Sequence, residues 1–288
     1  MVRASGFSLR VAGVVISVVA LGCGVDVGLT DPKELIEMGK TCYNAQEYER
    51  GAGLFLSAAN RAERLGQKVE LARGLQGLAA CKEMLGDFTE AEQLFEKAAR
   101  LHAEVSGPES ENAAMALSNL AWFKVRRRDY AQARALYERV LVISTRLWGR
   151  AHPNVAATLS SMGLTYYLQS DFAHSDPLYR EAVGILESIP GTEYPGLAIA
   201  LKNLAESCLA QARWAEAEPL IQRALKIVEP RAHQDPDMLA RLVQDYAQVC
   251  AATGRVAQAE DLRARASSLQ KGLPGARPTQ VTNDQIAP

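Results

Sequence analysis

The sequence predicts an all-α fold, a right-handed α-solenoid built from about six helix-turn-helix repeats. In the stretch 152–187, apolar and small residues recur at helical spacing, first from Leu159 to Tyr166 and then from Phe172 to Ala182. This spacing places them along one stripe of each of two amphipathic helices. Pairs of helices that bury such stripes on one another stack into a solenoid, in which each pair contacts only its neighbours.

The helix pair recurs six times at a nearly fixed period. A small residue opens the second helix of each copy, at Gly51, Ala91, Ala133, Ser175, Ala217 and Ala259. Successive members of this series are 40 residues apart once and 42 apart four times, and a fixed period of about 20–50 residues is typical of a solenoid. A small side chain suits this position because the two helices approach most closely there. A plain coiled coil is the rival interpretation, and the regular recurrence of turns such as Gly86-Asp87 argues against it.

The order of residues within each copy resembles a known family. The pattern W/L-x2-L-G/A-x2-Y in the first helix, followed by A-x3-F/Y-x2-A in the second, is similar to the tetratricopeptide repeat, which is usually about 34 residues long. The longer copies here, the dipeptide His152-Pro153 and the sequence AEPL at 217–220 resemble the kinesin-light-chain type. The resemblance covers residues 33–270. It implies that the first helices line a concave groove that holds a peptide or a partner protein.

The resemblance also implies which side chains line this groove. The family's groove positions correspond to Ser118, Asn119, Trp122 and Arg126 in the third repeat, to Ser160, Leu164 and Tyr167 in the fourth, and to Lys202, Asn203 and Glu206 in the fifth. Asparagine suits a ligand backbone because its amide both donates and accepts hydrogen bonds, and Trp122 and Tyr167 offer rigid apolar contacts. The alternative is that Trp122 packs on a neighbouring repeat and that the asparagines are structural. The basic run 126–128 favours an acidic segment in the partner.

The first 22 residues are predicted to be a signal peptide. Arg3 and Arg10 precede an uncharged apolar run of eleven residues, Val11–Leu21, which is shorter than the ~20 residues needed to cross a bilayer. The run leads to Cys23 in a sequence that resembles the bacterial lipobox, which implies that Cys23 is lipidated and that residues 23–32 form a tether. An ordinary signal peptide cut nearby is the alternative. Gly24, where aspartate would retain a lipoprotein in the inner membrane, implies an outer-membrane location facing the periplasm.

Local signals set the limits of the repeat domain at 33–270. Asp31-Pro32 followed by Glu34 predicts a helix start, because the aspartate caps the first turn and proline fits its first position. From residue 271 to residue 288 no helical periodicity remains, and this segment is predicted to be a disordered tail.

Charge and motif content argue against several classes of function. Without Arg3 and Arg10 the chain carries 30 basic and 33 acidic residues, and this balance does not favour nucleic acid. Glycine-rich phosphate loops, HExxH zinc helices and GxSxG nucleophile elbows do not occur in the sequence. We therefore expect no enzymatic activity, no cofactor, no metal and no small-molecule substrate.

The remaining cysteines and the histidines are predicted to be structural. The cysteines, Cys42, Cys81, Cys208 and Cys250, fall at or beside one core position of the first helices. Equivalent positions of neighbouring repeats are about 8–10 Å apart, which is beyond disulfide reach, so buried thiols are expected. The histidines, His102, His152, His174 and His233, show no spacing that gathers ligands and are expected on the surface or at helix caps.

The groove and the leader together predict an envelope-anchored adaptor. In this interpretation the chain is a bacterial lipoprotein whose groove binds a protein or peptide partner, in the assembly of an envelope complex. The alternative is an accessory subunit or support domain of an envelope enzyme. Recovery of one stoichiometric partner supports the adaptor, and turnover by the purified protein alone supports the enzyme.

Lipid attachment at Cys23 is directly testable. Cells grown with a radioactive fatty acid are expected to label the wild-type protein and not the Cys23→Ser variant, because Cys23 is the residue predicted to carry the lipid. Equal labelling of both proteins, or recovery of the wild type in the soluble fraction, would contradict the lipoprotein assignment.

Overall fold

The predicted all-α solenoid is confirmed. The protein is represented by a computed structural model that describes residues 31–189, 195–232 and 235–271. Within these residues twelve α-helices form six consecutive pairs and no strand occurs. The helices are α1 (Pro32–Asn44), α2 (Tyr48–Arg64), α3 (Lys68–Met84), α4 (Phe88–Ser106), α5 (Glu111–Arg126), α6 (Tyr130–Trp148), α7 (Pro153–Tyr167), α8 (Phe172–Glu187), α9 (Pro195–Ala210), α10 (Trp214–Val228), α11 (Pro236–Ala252) and α12 (Val256–Lys271).

A turn with one residue in the left-handed region joins the two helices of each pair. The residues with positive φ at these turns follow the repeat period and are Gln46, Gly86, Arg128, Ser170, Ala212 and Gly254. After each of them the chain donates a hydrogen bond back to the first helix, for example from Asp129 N–H to the Lys124 carbonyl at 2.9 Å, which is how a Schellman motif ends a helix. Only two of the six are glycine. The other four hold a side chain in the left-handed region, at a cost of roughly 1 kcal/mol each.

The predicted start of α1 is also confirmed. The Asp31 carboxylate accepts a hydrogen bond from the Lys33 N–H at 2.8 Å, and Pro32 is the first helical residue. The cap therefore satisfies one of the backbone donors that a helix N-terminus leaves without a partner.

The chain divides into two compact units, with the boundary between Leu94 and Phe95. In the first unit the buried ring of Phe55, on α2, lies between a glycine of α1 and a glycine of α3. A Cβ added to Gly39 would lie 2.9 Å from the ring, and a Cβ added to Gly77 would lie 2.3 Å from it. Both distances are shorter than carbon atoms tolerate, so this packing requires glycine at both positions.

The second unit shows the same close approach. The buried ring of Tyr179, on α8, lies against Gly163 of α7, where an added Cβ would be 2.8 Å from the ring. Gly163 occupies the glycine-or-alanine position of the first-helix pattern, and this contact explains why that position is small. Around it, apolar residues of α7–α12 form one continuous buried cluster, so neighbouring repeats of this unit share a core.

Ion pairs between neighbouring repeats of the second unit also follow the 42-residue period. Arg213, in the turn before α10, forms an ion pair with Asp176 of α8. Arg255, in the turn before α12, forms the equivalent pair with Glu218 of α10 through two hydrogen bonds of 2.7 and 2.8 Å. Arg223–Glu187 and Arg265–Glu229 form a second series with the same spacing. These pairs were not predicted from the sequence, although the period alone relates the members of each series.

The four repeat cysteines, His152 and His174 agree with their structural assignment, whereas His102 does not. Cys42, Cys81, Cys208 and Cys250 are buried thiols. His152 accepts a hydrogen bond from the Asn154 N–H, and His174 contacts the Asp171 carboxylate. His102 was expected on the surface or at a cap, and that expectation is wrong. It is only 1% exposed, because its position on α4 faces the core and not the solvent.

Several predicted segments lie outside the described residues. They are the signal peptide at 1–22, Cys23 and the tether as far as residue 30, His233, and the tail after residue 271. In the described part of the chain, no helix has the length and apolar character needed to cross a membrane.

Two glycine-to-alanine substitutions distinguish the effect of close packing on stability from the effect of helix propensity. Gly77→Ala is expected to destabilise the protein by about 1–3 kcal/mol, because the new methyl group overlaps the Phe55 ring. Gly184→Ala, in the exposed face of α8 with no atom within 4 Å of the new Cβ, is expected to stabilise it by about 0.5–1 kcal/mol. Urea unfolding of both variants measures the difference, and a stabilised Gly77→Ala protein would contradict the close contact.

Candidate binding groove

Two adjoining cavities open on the first helices of the second unit. The first has a volume of about 470 Å³ and lies among α5, α6 and α7. The second has a volume of about 320 Å³ and lies among α7, α8 and α9. Asn154, Ala157 and Ser161 of α7 line both cavities, so the two form one groove. We call this the α5–α9 groove.

The first cavity combines exposed apolar groups with amides. Met115 and Trp122 of α5 are both 45% exposed although they are large and apolar, and both line the cavity together with Asn119 and Trp148. The Trp148 ring stacks on His152 at 5.0 Å between centroids. Large side chains that are this exposed within a concavity are typical of a binding site.

The second cavity repeats this combination with different side chains. Leu164 of α7, Leu186 of α8 and Ile199 of α9 provide its apolar lining, and Asn203 of α9 provides an amide. Ile199 is 48% exposed, and it occupies the position of Met115 two repeats, or 84 residues, later. The groove therefore presents an apolar surface at equivalent positions of the third and fifth repeats.

A row of polar side chains runs along the same first helices. Asn119, Ser161, Asn203 and Asp245 are each separated by 42 residues. The first three line the groove. The hydroxyl of Tyr137, whose pKa is raised to about 12 by burial, is hydrogen-bonded to Ser161. This row provides amide and hydroxyl groups that can pair with the backbone of an extended ligand.

The fifth and sixth repeats add charged groups to the row. Lys202 and Glu206 of α9 form an ion pair at 2.7 Å, and both side chains are largely covered. Asp245 of α11 is partly buried, and its Oδ2 atom is enclosed and has no hydrogen-bond partner. Burial raises the pKa of Asp245 to about 7, the charge of Glu206 adds to the rise, and Lys202 and Arg241 oppose it.

The structure brings together part of the predicted site. Ser118, Asn119, Trp122, Ser160, Leu164 and Asn203 line the groove. Lys202 and Glu206 are held in their ion pair outside the lining of the two cavities, and Arg126 is exposed near the end of α5. Tyr167 packs against the core of the second unit and contacts the Phe172 ring edge-on at 6.0 Å.

Sequence reasoning missed most of the lining residues, four of which matter most for its chemistry, and one charged group nearby. Met115, Trp148, Asn154 and Ile199 line the groove, and Asp245 continues its polar row. The 42-residue spacing was a signal for some of them, because Met115 and Ile199 are equivalent and Asp245 follows Asn203. Trp148 gave no such signal, since it comes from the end of a second helix.

The groove offers groups that can contact a ligand. Among the residues that the structure describes, no three His, Cys, Asp or Glu side chains are grouped so as to hold a metal ion. The apolar surface, the amides and the neighbouring charges suit a segment of polypeptide, which carries apolar side chains at intervals along a backbone that forms hydrogen bonds.

Comparison with known families identifies the repeat. The model described as tetratricopeptide repeat matches residues 70–141, 112–188 and 175–229. Proteins of this family bind protein or peptide partners and are typically scaffolds without enzymatic activity. No curated protein matches the chain.

Solved structures share the fold at low sequence identity. BtubC (BKLC) from P. vanneervenii is 21% identical, with a TM-score of 0.66 over 86% of this chain and 94% of that one. A Podosopora anserina chain of kinesin-light-chain repeats is also 21% identical, with a TM-score of 0.54 over 72% of this chain and 95% of that one. The type IV pilus biogenesis factor PilW is 15% identical, with a TM-score of 0.60 over 85% and 95%.

Replacement of Asp245 is expected to change stability in a pH-dependent way. An acid whose pKa is raised by folding binds more protons in the folded state, so stability falls as pH rises from about 4 to about 7. Asp245→Asn removes this loss. Its melting temperature should match that of the wild type near pH 4 and exceed it by roughly 2–4 °C near pH 8, if the gain is about 1 kcal/mol. The exposed Asp261→Asn change is the matched control, and an equal shift in both variants would contradict the burial of Asp245.

Proposed function

Because the chain belongs to the tetratricopeptide-repeat family, we propose that it is a non-enzymatic scaffold that binds a peptide segment of a partner protein in the α5–α9 groove. The observation that carries this proposal is the joining of two cavities into one surface with exposed Met115, Trp122 and Ile199. Exposed aromatic and apolar groups surrounded by polar ones are the usual anchors of protein recognition. Asn119 and Asn203 supply the amides that bond the backbone of the bound segment.

The leader adds a proposed location. The apolar run before Cys23 supports attachment to the bacterial envelope through a lipid, at the outer membrane and facing the periplasm. A lipid anchor of more than one chain suffices for stable membrane attachment. PilW, whose fold this chain shares, is a type IV pilus biogenesis factor, so pilus biogenesis is the first envelope process to test.

Capture of the partner from detergent-solubilised envelopes tests the groove. Asn203→Ala is expected to reduce capture at least about tenfold while leaving the melting temperature nearly unchanged, because the side chain is partly exposed and lines the groove. Trp122→Ala is expected to weaken capture as well. Quantitative mass spectrometry of the eluted proteins measures both effects.

The control places a change outside the groove. Glu138, on α6, is exposed and does not line either cavity, so Glu138→Lys is expected to capture the partner as the wild type does. Normal capture by Asn203→Ala together with loss of capture by Glu138→Lys would place the binding site elsewhere.

A further inference from the structure

A small side chain lies where the two cavities of the α5–α9 groove meet. Met115, Ala157 and Ile199 occupy the same position of three successive first helices, 42 residues apart. The outer two are large and are 45% and 48% exposed, whereas the exposed Ala157 ends at its Cβ atom. Ala157 lines both cavities, so little side-chain volume stands between them. A ligand can therefore pass over α7 at Ala157 from one cavity into the other.

The crossing point at Ala157 also offers a group for a polypeptide backbone. Asn154, which is exposed and lines both cavities, carries an amide that both donates and accepts hydrogen bonds. Ser161 lines both cavities as well, but its hydroxyl donates to the Ala157 carbonyl at 3.0 Å and is hydrogen-bonded to Tyr137. The amide that can bond a ligand backbone at the crossing point is therefore that of Asn154.

The two cavities differ in size and in lining. The first, of about 470 Å³, has the rings of Trp122 and Trp148 beside the thioether of Met115. Aromatic side chains pack favourably against other rings and against methionine sulfur, so this cavity suits an aromatic residue. The second, of about 320 Å³, is lined by aliphatic side chains such as Leu164 and Ile199, and it suits a smaller aliphatic residue.

The lining of both cavities is almost without charge. Among the described residues that form it, only Glu111 is charged, and it is the exposed first residue of α5. Lys202 and Glu206 lie outside the lining and neutralise each other at 2.7 Å. A charged side chain of a ligand would lose water between the cavities and meet no opposite charge, which is unfavourable. The stretch of ligand that lies there is therefore uncharged.

We propose that the bound segment is an uncharged, extended stretch of polypeptide that crosses α7 at Ala157, with an aromatic side chain in the first cavity and an aliphatic one in the second. The inference rests on the proposed function and names the chemistry of its partner. Because α7 contacts both α5 and α9 and packed helices are about 8–10 Å apart, the cavities on its two sides are separated by about this distance. An extended chain covers it in about three residues, so the two anchors should be about two to four residues apart.

This assignment differs from the acidic partner that the basic run 126–128 suggested. Arg126 is exposed and lies outside the lining of both cavities, where attraction to an acidic segment is weakened by solvent and salt. The residues that lie in the groove are instead selected by the neutral lining.

Selection from a phage-displayed library of random dodecapeptides tests the proposal. The full-length wild-type chain, purified in detergent, is expected to enrich peptides with an aromatic and an aliphatic residue about two to four positions apart and no charged residue between them. Enrichment of a single anchor, or of anchors about seven positions apart as on a helical ligand, would overturn the extended crossing.

Substitutions at Ala157 test the crossing point itself. Ala157→Met repeats the side chain of Met115 at the equivalent position and is expected to weaken the selected peptides at least about tenfold, because it blocks the passage between the cavities. Ala157→Ser is the matched control, since it stays small and should bind within about twofold of the wild type. The position is exposed, so both variants should melt as the wild type does. Wild-type affinity in Ala157→Met would contradict the crossing.

Double-mutant cycles between protein and peptide assign each anchor to its cavity. Met115→Ala is expected to be non-additive with replacement of the peptide's aromatic residue by alanine, and Ile199→Ala with replacement of its aliphatic residue, because contacting residues are coupled. The crossed combinations should be additive. Coupling of the aromatic anchor to Ile199 would overturn the assignment.

Charge scanning of one selected peptide tests the neutral specificity. Aspartate and lysine, each placed in turn between the two anchors, are both expected to weaken binding at least about fivefold, because neither meets an opposite charge in the lining. Asparagine at the same place is the uncharged control and should bind within about twofold of the parent peptide. Unchanged or tighter binding with either charge would overturn the neutral specificity.

The outcomes separate this inference from the proposed function. Peptides that depend on Asn203 but bind Ala157→Met normally, or tolerate a charge between their anchors, overturn this inference and leave the groove intact. Peptides that bind Asn203→Ala as tightly as the wild type overturn the groove itself, and this inference with it. A selection that enriches no peptide also overturns both.

Discussion

The fold depends on the close approach of the two helices of each hairpin, which a large side chain from one helix and a small residue on the other make possible. Phe55 lies between Gly39 and Gly77, and Tyr179 lies against Gly163. In other repeats alanine takes the small position and is fully buried, as at Ala121 and Ala205. Because protein interiors are close-packed, the residues at each of these contacts determine which neighbouring side chains fit. The same combination of a large and a small residue recurs along the sequence.

Besides this packing, ion pairs connect neighbouring repeats of the second unit. Exposed pairs contribute little to stability by themselves, typically about 0–1 kcal/mol. The pairs made by the turn arginines differ, because Asp176 and Arg213 are only 14% and 28% exposed and Arg255 contacts Glu218 through two nitrogens. Two-pronged contacts of this type fix orientation as well as distance. We infer that they hold the fourth, fifth and sixth repeats in register, which aligns the groove residues of the fourth and fifth repeats.

The groove follows from what the hairpin packing leaves uncovered. Ala116, Leu117 and Leu120 of α5 are buried, whereas Met115, Asn119 and Trp122 of the same helix remain on its open face. Because the repeat period is 42 residues, equivalent side chains of successive repeats lie side by side. A different residue at one position of the polar row therefore changes the chemistry of the groove at that repeat only. Asparagine, serine, asparagine and aspartate thus give a neutral middle and a charged end.

The sequence alone predicts the fold class, the six repeats and the turns between the helices of each pair. It could do so because hairpin packing imposes a fixed order of small and large residues, and a sixfold repetition of that order makes it visible. Asn119, Trp122, Leu164 and Asn203 lie on first helices at repeating positions, and the structure has them in the lining of the two cavities.

Which of the candidate residues share a surface depends on the tertiary structure. Tyr167 packs on the core and Lys202 is held by Glu206, and Trp148 enters the groove from the end of a second helix. The burial of His102 and the enclosed Oδ2 atom of Asp245 were likewise invisible in the sequence. The physical reason is that exposure and hydrogen bonding depend on atoms contributed by neighbouring helices, whereas a periodic pattern reports only the face of its own helix on which a residue lies.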